Sequence, residues 1–203
     1  MAKELSTPRS VQTKNTKEKI YKAAVNIMKK KGYEYLSVNN ICTVAGVSNG
    51  TFFYHFKTKE DLLSYYLRER FAEYRTEHNF NVDGLPFDKK IVEYYRCYTS
   101  YVMETGIDFI SSYYTPKNAA LNTRAYHEDR PNTLYEFVRC CMQEAENDDL
   151  LKKEKTATFY AETCCTIIKG IVFDWSVSGG KIDMHEMIDV ILQPFLESIK
   201  TSS

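Results

Sequence analysis

Glycine is scarce in this chain, at 8 of 203 residues, and so are proline, at 5, and tryptophan, at 1. No run of β-branched residues alternates at period two between turn signals, so a sheet-built fold is excluded and an all-α fold is expected. Long hydrophobic runs are also missing. The longest stretch without Lys, Arg, Asp or Glu, residues 35–56, is interrupted by Asn39, Asn40, Ser48, Asn49 and Gly50, which a bilayer span would not tolerate, so no membrane partner is expected. Residues 1–16 are polar and lack the apolar core of a secretion signal, and the six cysteines show no CxxC spacing. The expectation is a cytoplasmic protein with reduced thiols. Four histidines lack metal-ligand spacing, and G-x-S-x-G, P-loop, G-x-G-x-x-G and H-E-x-x-H signatures are absent. Neither an enzyme nor a bound metal or cofactor is expected.

Charge is balanced overall, with 27 basic and 27 acidic residues, but it is unevenly placed. Residues 1–70 carry 13 Lys and Arg against 6 Asp and Glu, and the remainder is acidic by the same margin. That asymmetry suits a polyanion-binding head on an acidic body. The first ten or so residues read as a mobile basic arm. Asn15 and Glu18 predict the start of a first helix with Ile20, Ala23, Ala24, Ile27 and Met28 on one face, and Gly32 stops it. Ser37 caps a short second helix that Gly46 closes, Ser48 opens a third running to His55, and Thr58 with Asp61 opens a longer fourth. After the loop around Gly84, helical periodicity returns over residues 87–103, 106–114, 131–147 and 152–178. A last helix over 184–199 aligns Met184, Met187, Ile188, Ile191, Leu192 and Phe195.

A short helix, a glycine-containing turn and a second short helix, packed on an amphipathic helix, form the helix-turn-helix arrangement, whose second helix meets base edges in the major groove. Asn49 and Thr51 have side chains able to hydrogen-bond base edges, and Gly50 permits close backbone approach. Phosphate attraction must come from flanking lysines, among them Lys14, Lys17, Lys57 and Lys59, together with helix N-terminal amides. Val38, Ile41, Val44, Val47, Phe52 and Phe56 read as core of this head.

The run Ser37-Val-Asn-Asn-Ile-Cys-Thr-Val-Ala-Gly-Val-Ser-Asn-Gly-Thr-Phe-Phe-Tyr-His-Phe-Lys-Thr-Lys-Glu-Asp-Leu-Leu63 resembles the DNA-binding signature of the TetR family of bacterial regulators, and the resemblance extends over about residues 15–63. It implies a DNA-binding domain over 1–62 and a helical effector-binding and dimerisation domain over 63–203. It also implies contacts to bases or phosphate from Ser48, Asn49, Gly50 and Thr51, to the backbone from Phe53 and His55, and to phosphate from Lys59. Phe53 stands where the family usually has tyrosine, which removes a hydroxyl that often reaches phosphate. Tyr54 lies in the same run, and a DNA role for it competes with packing on the first or fourth helix. His55 is open to a cap or packing role as well.

One short helix reads few base pairs, so a homodimer on palindromic double-stranded DNA is expected, with Ile168, Ile171, Val172 and Trp175 meeting Ile191 and Phe195 across a dyad. The middle of the chain is rich in tyrosine and phenylalanine. In similar proteins it encloses a ligand cavity, which nominates Tyr98, Tyr101, Phe109, Phe137, Cys141, Tyr160 and Cys164 for a partly apolar or aromatic small-molecule effector. The resemblance thus implies a regulator, by analogy a repressor, released from its operator by that effector. Two alternatives stand beside it: a thiol or metal switch through Cys141 and Cys164, and a DNA-binding architectural protein without an inducer.

Overall fold

The computed structural model describes residues 8–116, 118, 121–122 and 134–201, with the side chains of residues 8–12 and 14 outside the description. Among the described residues there are helices and no named strand, only an isolated bridge between Leu151 and Lys200. The chain divides into two compact units, Met1–Leu67 and Arg68–Ser203. No helix among the described residues is long and apolar enough to cross a membrane.

In the first unit, α1 spans Pro8–Lys31, and a 3-10 turn, Tyr33–Tyr35, leads to α2, Val38–Ala45, and α3, Asn49–His55. α1 therefore begins earlier than the Asn15 cap predicts, and residues 8–10, expected in a mobile arm, are helical; the rest of that arm lies outside the described residues. Pro8 suits a first helical position because its missing N–H is one that a helix start leaves unpaired, and the residues between it and Asn15 include nothing that breaks a helix. Ser37 Oγ accepts from Asn40 N at 3.2 Å, and Gly46 ends α2 with φ 65°, a conformation that strains any residue with a Cβ. Ser48 Oγ accepts from Thr51 N at 3.1 Å to start α3, and Thr58 Oγ1 accepts from Asp61 N at 3.1 Å to start α4, Lys59–Glu77. Ile20, Ile41, Phe52, Leu62 and Leu63 are buried in this unit, and each such side chain contributes about 1.5–3 kcal/mol. Val44, expected in the core, is 51% exposed. α2 has only about two turns, and Val44 lies about 100° of helical rotation from the face that Ile41, Cys42 and Ala45 direct inward.

The second unit holds α5, Phe87–Thr105, α6, Ile107–Tyr113, α7, Glu136–Asn147, and α8, Ala157–Val177. The segment 131–133, expected to open the helix now seen as α7, lies outside the described residues. α8 starts five residues later than its periodicity suggests, because the backbone before it is already engaged: Lys152 N donates to Ile199 O at 2.8 Å, and Thr201 N to Leu150 O at 3.0 Å. Thr156 then caps α8 through Phe159 N at 3.2 Å.

The last segment is not one regular helix. α9, Met184–Met187, passes through a widened π turn, Ile188–Leu192, into α10, Gln193–Ser198. Pro194 supplies the cause, since it has no N–H to donate to residue 190 and its ring presses on that carbonyl. The widened turn changes which residues face inward. Met184, Ile188, Leu192 and Leu196, each four apart, are buried, while Ile191 is 40% exposed and Phe195 half-buried. Steps of four would drift by about 40° each on a regular helix, and the wide turn takes back part of that drift.

Candidate functional site

The two caps that start α3 and end α2 fix a short, uncharged helix on the surface of the head. Asn49 and Gly50 are exposed, Thr51 is half-buried, and Phe53 and Tyr54 are 51% and 73% exposed. Tyr54 is thus turned to solvent instead of packing on α1 or α4, with its ring edge-on to His55 at 5.1 Å between centroids. Phe52 faces the opposite way, fully buried, with Phe53 and Phe56 around it at 5.4 and 5.9 Å. One seven-residue helix therefore divides cleanly into an anchoring face and a reading face.

An open concavity of about 530 Å³ runs along the reading face, lined by Thr13 and Thr16 of α1 with Ser48, Gly50, Thr51, Tyr54 and His55. Thr13 and Thr16 join the site only in three dimensions, and nothing in their local sequence announces it. Hydroxyls, an amide, a phenol and an imidazole give this surface both donors and acceptors, which is what base edges and phosphates require.

Positive charge frames the surface. Lys17 Nζ lies 4.3 Å from the Tyr65 ring centroid and Lys59 Nζ 4.9 Å from that of Tyr33, so aromatic faces hold both ammonium groups in place. Lys57 is exposed. The Lys14 side chain, also expected to meet phosphate, lies outside the described residues.

Burial, and after it the ammonium of Lys17, hold the His55 imidazole below its ordinary value of 6.5. The unfolded chain therefore binds a proton at higher pH than the folded head does. His55 contributes its full share of stability above about pH 6.5 and loses it as the pH falls through the lowered folded value. Thermal midpoints measured across that window should fall towards acid for the natural sequence and less steeply for His55→Gln. Equal slopes for the two would assign the acid sensitivity to other groups.

In the second unit, the residues expected to line a ligand cavity form the aromatic interior. Tyr98, Tyr101, Phe109, Cys141, Tyr160 and Cys164 are buried, and Phe137 is half-buried, stacked on Tyr94 at 4.3 Å. The Tyr98 and Tyr114 hydroxyls meet at 3.0 Å, while Tyr95 Oη and Cys165 Sγ both donate to Leu134 O, at 2.9 and 3.1 Å. The interior thus combines apolar ring faces with the hydroxyls of Tyr95, Tyr98, Tyr114 and Tyr160, which are satisfied by one another or by backbone.

The thiols are poorly suited to a switch. Burial, aided by Glu144, pushes Cys141 up to about 12, and burial raises Cys164 well above its ordinary value, so neither supplies the reactive thiolate near neutral pH. Among the described residues, no three His, Cys, Asp or Glu side chains are grouped to hold a metal ion.

Of the six residues expected at a dimer interface, Ile191 is exposed and Phe195 half-buried, while the four on α8 are buried within their own unit. Ile168 and Val172 have no exposed surface, and Ile171 and Trp175 almost none, because the inward stripe of α8 is already spent on its own unit. Exposed apolar surface lies on the next face round, at Phe173, 52%, and Val177, 63%, with Val190, 63%, and Ile191 on the last segment. A groove of about 210 Å³ between the two is lined by Thr166, Ile167, Gly170, Ile171, Asp174, Ile182, Met187 and Ile191.

A head of capped short helices around a glycine turn, with an uncharged reading face in a basic frame, defines a helix-turn-helix protein of the nucleic-acid-binding class. Residues 20–66 match the sequence model of the bacterial regulatory proteins, tetR family. The head thus matches the DNA-binding region of the TetR family, and the fold of the whole chain is TetR-like. The Fatty acid metabolism regulator protein of Bacillus subtilis (strain 168) is 36% identical over 55 residues, which are 27% of this chain and 28% of that one. The matched segments span only 16% to 28% of the lengths of the first curated relatives. Two solved structures extend the likeness of fold to the body. Thermus thermophilus FadR, a TetR family transcriptional repressor in complex with lauroyl-CoA, superposes with a TM-score of 0.71 at 19% identity, covering 92% of this chain and 96% of that one. Bacillus subtilis FadR in complex with stearoyl-CoA gives 0.60 at 19% identity, covering 90% and 98%.

Proposed function

We propose that this chain is a transcriptional regulator that binds a palindromic operator as a homodimer and leaves it on binding a small molecule, with no catalytic role. The observation that carries the proposal is the division of α3 into a buried Phe52 anchor and an outward face of exposed Asn49, Gly50 and Tyr54 with half-buried Thr51, between lysines. Ser48, Phe53, His55, Lys57 and Lys59, with Lys14 and Lys17 on α1, complete the DNA-facing set. The exposed apolar face of α8 and the last segment supports self-association, with Phe173, Val177, Val190 and Ile191 in place of the buried Ile168 and Val172.

The effector we infer is a partly apolar small molecule received by the aromatic interior of the second unit, which Tyr98, Tyr101, Phe109, Phe137, Cys141, Tyr160 and Cys164 help to form. Two proteins of similar fold carry fatty acyl-CoA esters, and this supports a ligand with a substantial apolar part. Release of DNA follows only if that ligand binds one form of the dimer more tightly than the other.

The test is selection and sequencing of genomic fragments bound by the purified chain at near-physiological salt. Recovery of related palindromes supports the proposal, and uniform recovery of all DNA contradicts it. On the selected site, Thr51→Ala is expected to reduce discrimination against a mutated site by about 1–3 kcal/mol. Equal weakening on every sequence would remove Thr51 from base readout.

A further inference from the structure

Asn49 opens α3 on the reading face, and its side chain is already held by another. Its Nδ2 donates to Asn39 Oδ1 at 3.1 Å, across the turn that separates α2 from α3. Asn39 lies on the exposed side of α2, and its backbone carbonyl accepts from Thr43 Oγ1 at 2.8 Å. The neighbouring Asn40 is committed elsewhere, its Nδ2 donating to Tyr35 O at 2.8 Å. Asn39 is therefore the amide of the pair that faces α3.

A carboxamide is ambiguous as a reader, because turning it over exchanges a donor for an acceptor in nearly the same volume. In the pair as it stands Asn39 Oδ1 accepts, and this sets which end of the Asn49 amide points towards α2. Turning Asn49 alone would set two carbonyl oxygens against each other and lose the hydrogen bond, and a carboxylate at position 39, which can only accept, would hold that polarity permanently. What remains directed away from α2 is Asn49 Oδ1, an acceptor. In the major groove adenine and cytosine present amino groups, whereas guanine and thymine present acceptors at that depth.

We infer that Asn39 is a positioning residue that sets the base preference of Asn49, restricting it to adenine or cytosine at one position in each half-site. This rests on the DNA-binding proposal above, and the experiment separates the two. Sites are selected from randomised duplexes by the full-length natural sequence, by Asn39→Ala and by Asn39→Asp, and thermal midpoints are recorded for all three.

For the natural sequence, an amino-bearing base is expected at one position per half-site. Asn39→Ala should relax that preference by about three- to tenfold, the worth of one hydrogen bond, with the other positions and the thermal midpoint little changed. Asn39→Asp keeps the acceptor and should keep the preference, although its added negative charge weakens binding to all sites alike. A preference unchanged in Asn39→Ala overturns the inference and leaves the DNA proposal standing, as does loss of preference at every position together. No enrichment by the natural sequence overturns both.

Discussion

Replacing Phe71 by alanine is expected to remove about 3–5 kcal/mol from the stability of the second unit, a large part of the roughly 5–15 kcal/mol that holds a domain folded. Phe71 is 1% exposed, and three tyrosine rings meet it: Tyr94 and Tyr98 edge-on at 5.6 and 5.4 Å, Tyr101 tilted at 5.4 Å. The Arg75 guanidinium lies 5.1 Å from its ring centroid. Alanine would leave the edges of Tyr94 and Tyr98 facing a void, since rigid rings anchored on α5 relax poorly into it. Phe71→Leu keeps most of the apolar volume and should cost clearly less. Equilibrium denaturation of the variants measures the difference, and benzene should restore part of the alanine variant's loss by occupying the apolar cavity. A loss below about 1 kcal/mol would show that the ring is not packed as described.

How much of this was readable in the sequence depends on how far apart the interacting residues are. The head was legible because its determinants are local. Ser37, Ser48 and Thr58 each cap a backbone N–H three residues on, and Gly46 takes the one left-handed conformation needed between α2 and α3. The helices of the body were legible from periodicity, but their faces were not. The wide turn before Pro194 displaced Ile191 and Phe195 from the buried stripe, and Ile168 and Val172 were claimed by the unit's own interior. Pairings between distant positions left no trace in the pattern. Asn39 with Asn49, Tyr98 with Tyr114, and Thr13 beside Tyr54 meet only after folding. A reading of the site from α3 alone therefore misses both the α1 threonines and the amide on α2.

The second large effect is expected at Asp88, on the first turn of α5, which is 3% exposed and yet carries a carboxylate. Its Oδ2 accepts from Lys200 Nζ at 2.6 Å. The partners differ in access to water, because the Lys200 side chain is 37% exposed. Removing one partner should therefore be asymmetric. Lys200→Met strands a buried carboxylate and is expected to cost about 1–3 kcal/mol, below the figure for a fully buried pair because water reaches the lysine side. Asp88→Asn leaves an ammonium that can turn to solvent, and should cost less. The backbone bonds from Lys152 N to Ile199 O and from Thr201 N to Leu150 O do not involve either side chain, so the segment around Lys200 stays docked and the variants report on charge alone. In the double variant no charge is buried, and most of the Lys200→Met loss should return. Denaturation of the four proteins gives the coupling between the two residues directly. Additive losses, or equal costs for the two single variants, would mean that the carboxylate finds other partners or water and that the pair does not hold α5 to residues 199–201.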